Sequence, residues 1–258
     1  MNTYIIDSIR TPIGNFGGTL KDIRTDDLAA IPIRELIKRT KIEPSKIDDV
    51  ILGCANQAGE DNRNIARMAS LLAGVPFSVP GETINRLCAS GMSAIINAHR
   101  AINAGDGNLF IAGGIENMTR GPWVISKVSK AFGRDAQMFD SSFGWRFINP
   151  KMKELYGVDG MGTTAENLAE KYNISREDQD NFAYHSQLKA YKAQSLGRLS
   201  EEIVPVEIPQ RKKEPILFEH DEFIKGNTKV EVLAKLRTAF KKESGTVTAG
   251  NSSGLNDG

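Results

Sequence analysis

The stretch "TINRLCASGMSAIINAHRAINAG" (residues 83–105) joins a β-branched segment to a long run of small and apolar residues, with one cysteine at the junction. From Met92 onward, apolar residues recur at spacings of three and four, which predicts a helix that begins at or just after Cys88. Alanines fill the other sides of this helix, so we expect it to be buried between layers. The stretch therefore predicts a strand, a tight turn that carries Cys88, and a buried helix.

Short β-rich runs and helical patterns alternate on both sides of this stretch, up to about residue 119. The expected strands are residues 4–10, 49–54, 82–87 and 108–114, and the other expected helices are 26–39, with Thr25 as N-cap, and 63–74. This alternation is typical of an α/β fold with a largely parallel sheet and helices on both faces.

Residues 120–247 lose this alternation, and we interpret them as an inserted, mainly helical subdomain. Helices are expected at residues 163–172, from Ser175 to Gly197 and at 230–240, with a short β-like run at 203–209. The "SRED" that begins at Ser175 is an acidic variant of the capping box. The predicted organisation is a core of residues 1–119, the insertion, and a return of residues 248–258 into the core.

Composition excludes several classes of protein. Lys plus Arg (33) nearly cancels Asp plus Glu (32), which argues against a nucleic-acid partner. No apolar run approaches the roughly 18 residues of a membrane span, and the start "MNTYIIDSIRTP" lacks a secretory pattern, so we expect a cytoplasmic protein without membrane contact. Two cysteines, Cys54 and Cys88, form neither a disulfide framework nor a metal-binding pair, and no metal site is expected.

Cys88 is the candidate nucleophile. Unpaired backbone N–H groups and the positive end of the helix dipole both favour a thiolate at the first turn of a helix. A free thiol with a pKa near 8.5 is only ~3% ionised at pH 7, whereas a pKa of about 7 makes roughly half of it thiolate. Gly91 is expected to allow close approach of another segment, and Ser90 to act as a cap. Position alone leaves open that Cys88 packs as a small hydrophobic residue.

Four motifs carry a family resemblance: "NRLCASGMSA" (85–94), "GGIENMTRGP" (113–122), "MGTTAENLA" (161–169) and "GTVTAGNSSGLNDG" (245–258). In this order and spacing the chain resembles the thiolases, the acyl-CoA C-acyltransferases, and "RTPIGNFGG" (10–18) agrees. The resemblance implies a layered α/β/α half with an inserted loop subdomain. It also implies that Cys88 takes up the acyl group as a thioester, whose oxygen the backbone N–H of Cys88 helps to hold.

The resemblance further implies that the insertion binds coenzyme A. Coenzyme A and acyl-CoA are substrates, and no tightly bound cofactor is expected. The implied substrate and CoA contacts are Met161, Lys225, Ala249, Ser253 and Leu255. Members of the family form homodimers or homotetramers, and we expect the same here.

The segment "FGWRFINPKMKELYGVD" (143–159) is similar to the branch that cleaves 3-oxoadipyl-CoA. Many short-chain biosynthetic members carry histidine where this chain has Gly160, and that departure argues against an acetoacetyl-CoA specialist. A terminal carboxylate on the substrate would need a cation, for which Arg134 and Arg146 are candidates.

Two groups that the family's chemistry requires are absent from this sequence: a histidine in a Gly-His-Pro turn and a cysteine in a Cys-x-Gly-x-Gly loop. The histidines present, His99, His185 and His220, lie in contexts that indicate structural or solvated roles. We therefore expect an incomplete, inactive N-terminal portion whose partner is the missing C-terminal thiolase half.

Three other functions share some of these sequence features. "GNSSG" (250–254) fits the serine-hydrolase elbow, but no histidine follows Ser253 as that mechanism requires. A decarboxylating ketosynthase would share the fold and the cysteine, but the motifs favour the CoA enzyme. A non-catalytic assembly or binding module with the same fold stays open as the alternative.

Overall fold

The computed structural model describes residues 2–258. Its helices are α1 (Thr25–Thr40), α2 (Ile65–Leu72), α3 (Ser90–Ala104), α4 (Pro150–Tyr156), α5 (Met161–Tyr172), α6 (Arg176–Ser195) and α7 (Val230–Leu233). Its strands are β1 (Gly14–Asn15), β2 (Asp49–Gly53), β3 (Gly81–Ile84), β4 (Phe110–Gly114), β5 (Trp123–Ile125), β6 (Met138–Asp140), β7 (Val206–Ile208), β8 (Ile216–Phe218) and β9 (Asn256–Asp257). None of these helices is both long and apolar enough to cross a membrane.

The described chain divides into two compact units. The first unit comprises residues up to 122 together with 199–222 and 256–258, and the second comprises 123–198 and 223–255. This division differs from the predicted one, because residues 199–222 group with the first unit and 248–255 with the second. The cause in the first case is the β7–β8 hairpin, whose buried Val206, Ile208 and Phe218 belong to the core of the first unit.

A parallel sheet with the order β3-β2-β4 forms the centre of the first unit. Residues alternate across its two faces: Val50 and Leu52 pack into the larger core together with residues of α1 and α2, whereas Ile51 packs with Ala94 and Ala98 of α3. The sheet is therefore covered by helices on both faces, and the predicted α/β/α fold class is confirmed.

The strand predicted at residues 4–10 does not form. Residues 4–9 have no strand partner in the described chain, and only Arg10 makes an isolated bridge, to Ile203. The side chains of Tyr4, Ile5 and Ile6 are 70 to 80% exposed. Residues of this segment and of β4 both line an open groove of about 290 Å³. The β-type pattern is present, but no neighbouring strand pairs with it.

Helix α3 is buried on one face only. Ala94 and Ala98 are packed against the sheet, whereas Met92, Ile95 and Ile96 are 39 to 68% exposed. The expectation that this helix is buried between layers was wrong for the described chain, because the sheet covers only one side of α3.

The second unit contains elements that the sequence patterns did not predict, namely the β5–β6 ribbon and α4. Helix α6 begins as predicted, since Ser175 is its N-cap and the Ser175 Oγ accepts a 3.0 Å hydrogen bond from the Asp178 N–H. The helix expected over 230–240 ends already at Leu233.

Candidate functional site

Cys88 lies in the turn between β3 and α3, and it is exposed. Helix α3 begins at Ser90 with Ala89 as N-cap, so Cys88 precedes the first helical residue by two positions. The thiol is thus placed beside the amino end of a helix, as the sequence indicated, and open to solvent rather than packed as a core residue.

The backbone of this turn is tightly held. Leu87 has φ = 50°, a left-handed conformation that is uncommon for a residue other than glycine and often found at functional sites. The Ser90 Oγ accepts a 2.8 Å hydrogen bond from the Arg86 N–H and donates a 2.6 Å bond to the Leu87 carbonyl. The expectation that Ser90 caps α3 was wrong, because its hydroxyl closes the turn instead.

The close backbone approach at the start of α3 occurs at Gly53, the last residue of β2. A Cβ at position 53 would lie 2.3 Å from the Ser90 carbonyl carbon, well inside contact distance. At Gly91, where sequence reasoning placed the close approach, a Cβ would lie 3.6 Å from the Gly113 oxygen, an ordinary contact. The signal for Gly53 was a glycine at the end of a predicted strand.

The second cysteine has the opposite environment. Cys54 is 1% exposed, and its burial, reinforced by the nearby carboxylates of Glu116 and Asp61, raises the pKa of its thiol well above the ordinary value. Cys54 therefore stays protonated, and Cys88 is the accessible thiol of this chain.

Glu116, which sequence reasoning did not select, lies beside Cys54. The sulfur of Cys54, a carboxylate oxygen of Asp61 and a carboxylate oxygen of Glu116 all lie within 4.8 Å of one another. The Glu116 carboxylate accepts hydrogen bonds from the N–H groups of Ala55 (2.8 Å) and Asn56 (3.1 Å). Burial raises the pKa of Glu116 despite these two hydrogen bonds, and burial likewise raises the pKa of Asp61.

The residues expected to contact CoA all lie in the second unit, and all are exposed: Met161, Lys225, Ala249, Ser253 and Leu255. Lys225 and Gly254, the residue between Ser253 and Leu255, both lie close to the ring of Phe223. The Lys225 Nζ lies 5.2 Å from the centroid of the Phe223 ring. Gly254, between Ser253 and Leu255, is so close to the ring that a Cβ there would lie 2.6 Å from it.

Met161 and Ala249 are placed by different contacts. Met161 is the first residue of α5, and its neighbour Gly162 lies against the Phe240 ring. Ala249 precedes Gly250, which lies against Leu233 and Leu236.

Buried polar side chains of the second unit hold the loop that carries Ala249. The Glu166 carboxylate accepts hydrogen bonds from the Thr246 N–H, the Thr246 hydroxyl and the Val247 N–H, at 2.9 to 3.0 Å. The Asn251 amide donates a 2.9 Å hydrogen bond to Asp180. Sequence reasoning missed both carboxylates, since a lone acidic residue in a helix gives no signal of its tertiary contacts.

Each histidine has its recorded partners away from Cys88. The His99 Nδ1 lies 2.9 Å from the Thr3 hydroxyl. The His185 ring lies 5.2 Å from the ring of Tyr184, and the His220 Nε2 lies 3.9 Å from a Glu219 oxygen. These positions agree with the structural or solvated roles expected for them.

Comparison with known proteins gives one consistent result. The family model "Thiolase, N-terminal domain" matches residues 3–258. A 3-oxoadipyl-CoA/3-oxo-5,6-dehydrosuberyl-CoA thiolase of Escherichia coli (strain K12) is 57% identical over 256 residues, which cover 99% of this chain and 64% of that protein. A beta-ketoadipyl-CoA thiolase of Acinetobacter baylyi is 55% identical over 258 residues, which cover 100% and 64% respectively.

A solved structure agrees with these relatives. The crystal structure of the Bacillus anthracis acetyl-CoA acetyltransferase superposes with a TM-score of 0.85 at 40% identity, covering 98% of this chain and 62% of that one. The chain thus spans less than two thirds of the length of these relatives. It belongs to the thiolase family and carries that family's N-terminal domain.

Proposed function

We propose that this chain is the N-terminal portion of an acyl-CoA C-acyltransferase and that Cys88 is the residue that becomes acylated. The observation that carries the proposal is the placement of an exposed thiol on a constrained turn at the amino end of α3. The N–H groups at a helix amino end stabilise a thiolate, which is the nucleophilic form of cysteine.

The proposed reaction is the CoA-dependent cleavage of a 3-oxoacyl-CoA. The Cys88 sulfur attacks the C3 carbonyl carbon, and the C2–C3 bond breaks with its electron pair on C2, which takes up a proton to give acetyl-CoA. The acyl group stays on Cys88 as a thioester, whose oxygen the Cys88 N–H helps to hold. The CoA thiolate then attacks this thioester and releases Cys88. The same steps in reverse are a Claisen condensation.

The proton transfers require an acid–base group, and among the described residues the contacts of the three histidines do not include Cys88. The recorded partners of His99, His185 and His220 are elsewhere. General acid–base catalysis needs such a group within hydrogen-bonding distance of the reacting atoms. We therefore propose that this chain is acylated slowly and does not turn over without the further portion that its relatives contain.

The second unit is proposed to bind CoA through the residues named above. The ammonium group of Lys225 is suited to a phosphate, and the exposed Ser253 and Leu255, on either side of Gly254, offer a polar and an apolar contact for the pantetheine arm. Met161 at the start of α5 and Ala249 complete the proposed set.

The proposed substrate is a 3-oxoacyl-CoA with a terminal carboxylate, of the 3-oxoadipyl-CoA type. The support is that the similar proteins of E. coli and A. baylyi carry names of this substrate class. Arg134 and Arg146 are the proposed partners of the carboxylate. Arg146 is held in place by a 3.2 Å hydrogen bond from its Nη1 to the Ser141 carbonyl.

Mass spectrometry of the intact chain and of its peptides tests the proposal. After incubation with acetyl-CoA or a dicarboxylic acyl-CoA, we expect one acyl group on the Cys88 peptide, none on the Cys54 peptide, and none in Cys88→Ser. Cys54→Ser is the matched control and should be labelled as the wild type is. Absence of labelling on Cys88 while iodoacetamide still alkylates it would overturn acyl transfer and favour the non-catalytic binding module.

The first unit has an apolar surface next to the edge strand of its sheet. Strand β4 lies at the edge of the sheet, and Gly258 and Glu116 exchange two antiparallel backbone hydrogen bonds of 2.9 and 3.0 Å at its end. The groove beside β4 is lined by apolar residues that include Ile5, Ile95 and Phe110. We propose that this groove and the exposed face of α3 are covered by the remaining portion of the longer relatives, or by a second copy when that portion is absent.

The exposed face of α3 predicts self-association of this chain. Ile95 is 50% exposed among other exposed apolar side chains, and such patches on monomers favour association. Ile95→Lys should shift the sedimentation velocity profile toward monomer. Leu155→Lys in the second unit, where Leu155 is 68% exposed, should leave the profile unchanged. A wild-type chain that is monomeric at all concentrations would refute this expectation.

A further inference from the structure

The carboxylate of Glu116 is linked to the Cys88 turn by a short series of hydrogen bonds. Its two oxygens accept the N–H groups of Ala55 and Asn56, at 2.8 and 3.1 Å, and so hold the turn that follows β2. The Ala55 carbonyl in turn accepts a 3.0 Å hydrogen bond from the Asn85 side-chain amide.

Asn85 connects this turn to the nucleophile. Its side-chain oxygen accepts a 3.0 Å hydrogen bond from the Leu87 N–H, the residue with φ = 50° immediately before Cys88. One side chain therefore contacts the 55–56 turn with its amide and the 87–88 turn with its oxygen. The Cys54 N–H, which donates a 3.0 Å bond to the Ile84 carbonyl, fixes the same two segments a second time.

We propose that Glu116 is a positioning residue for Cys88, acting through the 55–56 turn and Asn85 on the left-handed backbone at Leu87. This inference rests on the proposed role of Cys88 as the acylated residue. The reason for a half-buried carboxylate at this position is chemical, since two adjacent backbone N–H donors need an acceptor with two oxygens, and a charged acceptor binds them more strongly than a neutral one.

Two substitutions interrupt the connection at different points. Glu116→Gln keeps the volume but offers one acceptor oxygen, so its NH2 group confronts one of the two backbone N–H donors. Asn85→Leu keeps the approximate size and adds no charge, but removes both the donor to the Ala55 carbonyl and the acceptor of the Leu87 N–H. Because Asn85 is exposed, this second variant leaves the core intact and tests the connection even if Glu116→Gln unfolds.

The measurement is the rate at which iodoacetamide alkylates Cys88, followed on its peptide across neutral to alkaline pH. We expect about a tenfold lower rate at neutral pH in both variants, because a turn displaced from the amino end of α3 takes the sulfur away from the helix N–H groups that stabilise the thiolate.

Glu222→Gln is the matched control. Glu222 also accepts two backbone N–H groups, of Asn15 at 2.7 Å and Thr19 at 3.1 Å, but its recorded contacts do not reach the 84–88 segment. This variant should lose stability without changing the alkylation profile of Cys88, which separates positioning from general destabilisation.

The outcomes distinguish the two proposals. Wild-type alkylation profiles in both Glu116→Gln and Asn85→Leu would overturn the role of Glu116, whether or not acyl-CoA labels Cys88. A shifted profile in both variants together with no acyl labelling of the wild type would support the positioning role and overturn the acyl-transfer function.

Discussion

Gly53→Ala is expected to lower the free energy of unfolding of the first unit by about 3 kcal/mol, the upper end of the usual cost of overpacking. The added Cβ would lie 2.3 Å from the Ser90 carbonyl carbon and 2.4 Å from the Gly91 nitrogen. Both are backbone atoms at the start of α3, so no side chain can rotate away to relieve the contact. The helix must shift, and the Cys88 turn must shift with it.

Amide hydrogen exchange, followed on peptides that contain β2, β3 and β4, measures this loss of stability in the first unit alone. Protection should fall more than about a hundredfold for a loss of 3 kcal/mol when exchange follows the opening equilibrium. Gly113→Ala is the control on the neighbouring strand, because a Cβ there would lie 3.8 Å from Leu52, an ordinary contact. Equal protection in the two variants would contradict the close packing of β2 against α3.

Glu166→Ala is expected to destabilise the second unit by about 3 kcal/mol, because it leaves three donors, two of them backbone N–H groups, without their charged acceptor. Glu166 is 5% exposed, and its carboxylate oxygens accept the hydrogen bonds that hold the Thr246–Val247 segment. Urea unfolding followed by tryptophan fluorescence reports on this unit, because Trp123 and Trp145, the two tryptophans of the chain, both lie in it.

Glu170→Gln on the same helix is the control. The Glu170 side chain is 73% exposed and pairs with Lys241, so the change should stay within about 0.5 kcal/mol.

The effect of Glu166 should depend on pH in a defined direction. Burial alone raises the pKa of Glu166, but the hydrogen bonds from Val247 and Thr246 favour the charged form more and hold the pKa below its ordinary value of 4.5. Its contribution to stability is therefore complete above about pH 4.5 and is lost as the pH falls through the lower folded-state pKa. The difference in unfolding free energy between wild type and Glu166→Gln should shrink across that acidic range. A difference that grows toward acid would contradict the assigned hydrogen bonds.

The strand–turn–helix around Cys88 was predictable because its determinants are local. A β-branched run, a polar turn and a three-to-four spacing of apolar residues are properties of adjacent residues, and the structure places β3, Cys88 and α3 in that order. The prediction of a strand at residues 4–10 was wrong because strand formation is not local. A β-type pattern shows that a segment can pair with a neighbouring strand, but it does not show whether such a strand is present.

The roles of Glu116 and Gly53 at the site could not be predicted from the sequence. Glu116 acquires its role from two N–H groups about 60 positions earlier in the chain, and Gly53 from a helix that begins 37 residues later. Neither relation leaves a periodic or compositional trace, because side-chain spacing encodes the faces of an element and not the atoms that it meets.

The amino-acid sequence by itself determined the α/β/α class, the family and the identity of the candidate nucleophile, because these depend on local periodicity and on short contiguous motifs. Only the tertiary structure decided that Cys88 is exposed while Cys54 is buried, that Leu87 adopts the left-handed conformation, and which carboxylates hold the loops. Those features arise from hydrogen bonds and close contacts between segments far apart in the chain. These interactions form, and contribute to stability, only after the sheet has brought the segments together.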